Sequence, residues 1–133
     1  MFDAVISNLP AFASYFLTAI GLLAVFSVLY VLITPYSELK LIRAGNAAAA
    51  ISLGGAVIGF ALPLAVAVAT SHNLYVMIGW GVVAGAVQLL VFLVARLALP
   101  RINESIPQGR LASGIFLALL SVAVGILNAG CIV

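Results

Sequence analysis

Apolar residues fill four long stretches of this chain, 11–34, 47–70, 75–99 and 111–131, and most polar residues gather in the three short connections between them. Each stretch reaches the roughly 20 residues that a helix rising 1.5 Å per residue needs to cross about 30 Å of hydrocarbon. Lipid offers an unpaired backbone group no partner, so each stretch is predicted as a transmembrane helix. Pro35 closes the first and Pro100 the third, because proline cannot continue a helix. Asp3 to Pro10 reads as a short lead-in turn at the interface. This N-terminal stretch lacks a basic region and its apolar run is too long for a signal peptide, so it is read as an uncleaved span.

Charge fixes the orientation. Lys40 and Arg43 fall in the first connection, and Arg96, Arg101 and Arg110 lie at or within the third. The second connection, Ser71-His72-Asn73-Leu74, carries no basic residue. By the positive-inside rule the 35–46 and 100–110 loops are cytoplasmic, which sends both termini and His72 to the periplasmic or outer side.

The first loop has its own grammar. Ser37 caps a short helix, Glu38 sits near its N-terminus and Gly45 ends it, with Asn46 then capping the second span. Leu39, Leu41 and Ile42 are expected to lie on the membrane while Lys40 and Arg43 snorkel to the headgroups. Pro100, Asn103-Glu104-Ser105 and Gly109 repeat the plan more loosely. Gly45, Ala48, Ala50, Ile51 and Leu53 align with Gly109, Ala112, Gly114, Ile115 and Leu117, all 64 positions later. The fold class expected is therefore an all-α integral membrane domain, 1–133. Its four transmembrane helices would form two tandem two-helix hairpin repeats, about 11–70 and 75–131, in parallel orientation.

Composition agrees: 66% of the 133 residues are hydrophobic and 6% charged, against roughly 25% charged in soluble domains. A net charge of +2 with no basic face gives nucleic acid nothing to bind. One cysteine, Cys131, and one histidine, His72, make neither an internal disulfide nor a metal-ligand cluster. The reactive groups do not converge, so no catalytic residues, metal or cofactor are expected and the chain is read as a non-enzyme.

Within the spans, Gly55-x-x-x-Gly59 and Gly81-x-x-x-Gly85 allow close helix approach, and Ser121, Gly125 and Ala129 give the fourth span a similar stripe. Packing within the chain is preferred over self-association as their use. Pro63 should free a carbonyl near Gly59 and kink the second span or permit a hinge there. Gln88 is the strongly polar residue nearest a helix midpoint. Its amide needs a partner, for which Ser27 or Thr18 of the first span or a neighbouring subunit is available; Asn128 poses the same question. Interhelical bonding is preferred over a solute site for both. No carboxylate lies at mid-membrane, which counts against a proton-driven pump. At the cytoplasmic rim, Glu38 is expected to pair with Arg43 or Arg96. The functional alternative there is a surface for anionic lipid or a cytosolic partner.

The run Ile33-Thr34-Pro35-Tyr36-x-Glu38-x-x-Leu41-Ile42, followed by Gly45-Asn46-x-Ala48-Ala49, resembles the YjfL-like family of small bacterial inner-membrane proteins. So do Gly59-x-x-x-Pro63, Trp80-Gly81, Gln88-Leu89-Leu90-Val91-Phe92, Arg96, Pro100 and the ending Gly125-Ile126-Leu127-Asn128-Ala129-x-Cys131. The resemblance spans nearly the whole chain. It implies two tandem two-helix units in an inner membrane, no known activity, and an association with envelope-stress systems of the phage-shock type. It singles out Glu38, Asn46, Pro63, Gln88, Arg96 and Asn128. The departure is Arg110 standing where Asn46 stands in the first half, so the two loops should differ in role.

The function expected is a non-enzymatic scaffold or adaptor that presents its cytoplasmic loops to a partner or to anionic lipid. The alternative is a homo-oligomeric channel or uncoupled small-solute transporter, with Gln88 and Asn128 lining its path.

Overall fold

The computed structural model describes residues 2–132, which form α1 (Phe2–Ile33), α2 (Glu38–Arg43), α3 (Ala47–Thr70), α4 (Leu74–Ala98), α5 (Ile102–Ser105) and α6 (Leu111–Gly130). No strand occurs among the described residues. α1, α3, α4 and α6 are each long and apolar enough to cross a membrane. α3 has the bounds that hydropathy predicts, and α4 is displaced by one residue toward the N-terminus.

α1 departs from expectation. The lead-in is no separate turn: the helix runs unbroken through Pro10 for 32 residues. Asp3 in its first turn complements the positive end of the helix dipole. The carbonyl that Pro10 leaves without a donor is that of Ile6, an exposed residue near the start of the helix. At 1.5 Å per residue α1 is about 48 Å long, more than a ~30 Å hydrocarbon core accommodates upright, so it must tilt or project.

The tightest packing is between α3 and α6. A β-carbon placed on Gly114 would lie 2.6 Å from the Ala48 carbonyl oxygen, and one on Gly59 2.5 Å from the Ser121 carbonyl oxygen. Gly55 abuts Ala118 and Gly125 abuts Gly59 just as closely. Contacts that ascend together along both helices mean that α3 and α6 run parallel. The small residues therefore serve packing within the chain, as expected. Gly81 accommodates Leu22 of α1, and Gly85 faces Phe60 of α3.

Pro63 is buried in α3, which continues through it without a break. A proline removes the donor to the carbonyl four residues earlier, that of Gly59. That oxygen is in contact with the backbone of Gly125. The missing methyl at Gly125 leaves room for the freed carbonyl, which a β-carbon there would strike.

The core lies toward the loop end, where Phe26, Tyr30, Phe60 and Phe92 pack with Leu117, Ile102 and Ile106. Phe26 packs on Phe60 with ring centroids 4.5 Å apart and planes tilted by 45°, and Tyr30 meets Phe92 edge-on at 5.8 Å. A smaller cluster of Ala67, Met77 and Ile132 closes the other end. α1 is the least embedded span, burying only Phe26 and Tyr30. An apolar cleft of about 220 Å³ opens between α1 and α4, lined by Leu22, Phe26, Phe60 and Leu89 among others.

Candidate functional site

The 35–46 and 100–110 loops emerge at the same end of the bundle and end in the same backbone device. Gly45 and Gly109 have φ of 87° and 78°, a left-handed conformation that glycine adopts without steric cost. In the first loop Gly45 N–H donates to the Ile42 carbonyl and Asn46 N–H to that of Leu41. In the second, Gly109 N–H donates to the carbonyl of Ile106 and Arg110 N–H to that of Ser105, the same four positions moved by 64. Both are Schellman turns, which close one short helix and turn the chain directly into the next.

Asn46 joins the loops. Its Oδ1 accepts from Ala49 N–H at 3.0 Å, capping α3, while Nδ2 donates to the carbonyls of Ile106 and Pro107 at 2.9 and 3.2 Å. Arg110, at the equivalent position, makes no side-chain cap on α6. Lys40, Arg43, Arg96, Arg101 and Arg110 are all exposed around this end. Two local expectations need correcting. Ser37 makes no side-chain capping bond to α2. Leu41 and Ile42 are half-buried against the core, and only Leu39 is left facing outward, because six residues cannot give α2 a lipid face and also anchor it to α3.

Glu38 does not pair with Arg43 or Arg96. Its side chain is 0% exposed, and neither carboxyl oxygen has a hydrogen-bond partner among the described residues. Arg43 is exposed, and the Arg96 guanidinium sits over the Phe92 ring, 6.0 Å from its centroid. The carboxyl instead lies among hydroxyls. Tyr30 and Tyr36 are close enough to feel its charge, and their own oxygens are buried without partners. Thr34 is adjacent to Glu38 and Ser52 to Tyr36. Burial pushes the Glu38 carboxyl up to about 7, opposed in part by Thr34. Burial and the Glu38 charge also raise the Tyr36 phenol well above its ordinary value.

Gln88 finds its partners on α6, not on α1. Nε2 donates to the Ser121 carbonyl at 3.0 Å, and Oε1 accepts from Asn128 Nδ2 at 3.3 Å. Asn128 Nδ2 also reaches the Ala84 carbonyl at 3.2 Å. The α1 hydroxyls once in view are engaged within their own helix: Thr18 donates to Ser14 O at 2.7 Å and Ser27 to Leu23 O at 2.8 Å. Gly59 makes the room, since a β-carbon there would lie 2.7 Å from Gln88 Nε2.

The candidate residues thus fall into two groups. Glu38, with Tyr30, Thr34, Tyr36 and Ser52, forms a buried oxygen cluster at the loop end, and Asn46 ties the neighbouring loops together. Gln88 and Asn128 cross-link α4 to α6 deeper in the bundle, Pro63 lies buried in α3 one turn beyond the Gly59 that Gln88 packs against, and Arg43 and Arg96 join neither group. The hydroxyl shell of Glu38 escapes a sequence reading. The available signal is Tyr30 and Thr34 one helical turn apart at the end of an apolar span, followed at once by Tyr36 and Glu38. Among the described residues no three of His, Cys, Asp and Glu are placed to hold a metal ion, and Cys131 is exposed and free.

A family described as "Domain of Unknown Function (DUF350)" matches residues 4–132. The chain is 34% identical over 127 residues to the UPF0719 inner membrane protein YjfL of Escherichia coli strain K12, covering 96% of each chain. It is 29% identical over 118 residues to the UPF0719 transmembrane protein YshE of Bacillus subtilis strain 168, covering 87% of this chain and 88% of that one. No solved structure matches.

Proposed function

The chain belongs to the DUF350 family of multi-pass membrane proteins, and on that footing we propose that it is a non-enzymatic membrane scaffold or adaptor whose working face is the loop end of the bundle. The observation that carries this reading is Asn46. By bonding to both Ile106 and Pro107 it makes two loops, distant in sequence, into a single surface. Around that surface stand all five basic residues, each exposed, with Glu104 the one exposed acid among them. Such a face suits anionic headgroups or an acidic peripheral protein on the cytoplasmic side. Resemblance to proteins linked with envelope stress suggests a membrane-coat partner of the phage-shock type.

Two structural readings accompany it. The duplicated Schellman turns support an origin in two tandem hairpins, and an even number of spans per hairpin would keep both halves in one orientation. The distribution of Lys and Arg supports cytoplasmic loops with both termini outside. The alternative, a homo-oligomeric channel, is less well supported, because Gln88 and Asn128 bond to each other and to backbone and are not free to line a path.

The test replaces Lys40, Arg43, Arg101 and Arg110 together with alanine. Binding of the loop face to anionic nanodiscs and capture of cytosolic protein from native membranes are then compared with wild type. Both should fall at least about tenfold, since four headgroup contacts of about 1 kcal/mol each together exceed the roughly 1.4 kcal/mol of a tenfold loss. Unchanged binding by a correctly inserted variant would remove the adaptor reading.

A further inference from the structure

A carboxylate buried without a partner is not a stable end state: it must hold a proton or a counter-ion. Glu38 is such a group, and it is not alone. Of the buried side-chain atoms left without a hydrogen-bond partner, four belong to one cluster: both Glu38 oxygens and the hydroxyls of Tyr30 and Tyr36. Tyr30 is 1% exposed and comes from the end of α1, Tyr36 from the following turn, and Glu38 from the first turn of α2.

Two further oxygens complete the shell. The Thr34 hydroxyl gives its proton to the Val31 carbonyl at 2.9 Å, and that of Ser52 to the Ala49 carbonyl at 3.1 Å. A hydroxyl oxygen keeps its lone pairs whichever acceptor takes its proton, a backbone carbonyl or, for Thr34, the Glu38 carboxyl and, for Ser52, Tyr36, so both oxygens remain able to ligate a cation. No side-chain cation competes for the site. Lys40 and Arg43 on α2 itself are exposed, the exposed Arg96 of α4 lies over the Phe92 ring, and from α3 the neutral Ser52 adjoins Tyr36.

The geometry points to a binding site for one small monovalent cation, sodium or potassium, with the Glu38 carboxylate supplying the charge and Tyr30, Thr34, Tyr36 and Ser52 supplying neutral oxygens. The donor chemistry selects the class. An all-oxygen set suits hard ions, and transition metals favour nitrogen or sulfur. A single carboxylate balances one positive charge, whereas calcium sites gather several acids. The ligands come from α1, the turn after it, α2 and α3, so an occupied site would fasten the α2 surface to the bundle. A proton is the natural competitor for the same carboxylate. The inference stands apart from the adaptor reading, because its test measures ion binding and no partner capture.

The experiment is thermal unfolding of the full chain in nanodiscs, in sodium, potassium or choline chloride at equal ionic strength. At pH about 8.5 the wild type should unfold several degrees higher in sodium or potassium than in choline, and the gap should close near pH 5, where the proton takes the site. Glu38→Gln should show no gap at either pH. Equal unfolding in all three salts at alkaline pH would overturn the site and leave a water-filled pocket in its place; so would a gap that persists in Glu38→Gln. Should that variant fail to insert, Tyr36→Phe decides, since it keeps the carboxylate and removes one oxygen. Its cation midpoint should rise about threefold or more, and an unchanged midpoint overturns the proposal.

Discussion

Glu38 illustrates how one residue can couple solvent conditions to the stability of a membrane bundle. In the unfolded chain its carboxyl titrates near 4.5, and folding raises it to about 7 through burial. Between these values the folded chain retains a proton that the unfolded chain has released, so unfolding becomes easier as pH rises. Its contribution is therefore complete below pH 4.5 and is lost as pH climbs through about 7. Wild type in choline buffers should lose thermal stability across that window, whereas Glu38→Gln, which mimics the neutral acid, should show a flat profile and exceed wild type by about 1–3 kcal/mol at pH 8. A slope unchanged by the substitution would assign the titration to another group. Gln88 gives the complementary case of a polar group fully engaged. Gln88→Leu leaves the Ser121 carbonyl without this donor and removes one acceptor of Asn128, and should cost about 1–3 kcal/mol in a denaturant titration in mixed micelles. The need of Gln88 for a partner was legible from hydropathy alone, but the partner was not. Serine and threonine in a helix can bond to a carbonyl one turn back, as Thr18 and Ser27 do, which withdraws them from interhelical pairing.

Among the elements, α3 and α6 act as a unit because glycine lets their backbones touch. The two positions of each Gly-x-x-x-Gly pair are visible in sequence, but the sequence does not say which helix each pair meets. Gly55 and Gly59 both turn toward α6, while Gly81 and Gly85 serve two different neighbours, α1 and α3. The distinction can be read in mutants. Gly55→Ala and Gly125→Ala drive a methyl into backbone that cannot move aside, and each should lower stability by about 2–4 kcal/mol or abolish folded yield. Gly54→Ala and Gly79→Ala meet open space within the chain and should be neutral or slightly stabilising, since alanine is the better helix former. Equal effects at all four positions would mean that helix propensity, not the α3–α6 seam, controls stability. The short helices were legible from their glycine stops. Their seating was not: Leu41 and Ile42 face the core because α2 must be held against α3, a tertiary demand that six residues cannot announce.

Over the whole molecule, four spans could be read because lipid acts on each helix separately, making hydropathy a one-dimensional problem. At α1 that reading falls short: it makes Asp3 to Pro10 a separate lead-in turn, whereas the helix runs through it from Phe2. Orientation is the property that ties the working face to a compartment, and both candidate functions depend on it. All five basic residues and both Schellman turns lie at one end, and the connection holding His72 at the other has no cation. If the positive end is cytoplasmic, a cysteine introduced at exposed position 72 should react with a membrane-impermeant maleimide on intact spheroplasts. One at exposed position 108 should react only after the membrane is opened. The native Cys131 must first be replaced by serine, since it is exposed and would report the outer side by itself. Labelling of position 108 in intact cells would place the basic face outside. The adaptor would then lose its cytosolic partner, and the Glu38 cluster would sample the external pH and sodium concentration instead of the internal ones. Labelling of position 72 alone would put the Asn46-linked loops, the five cations and the buried carboxyl on the side where cytoplasmic proteins and anionic lipids can reach them.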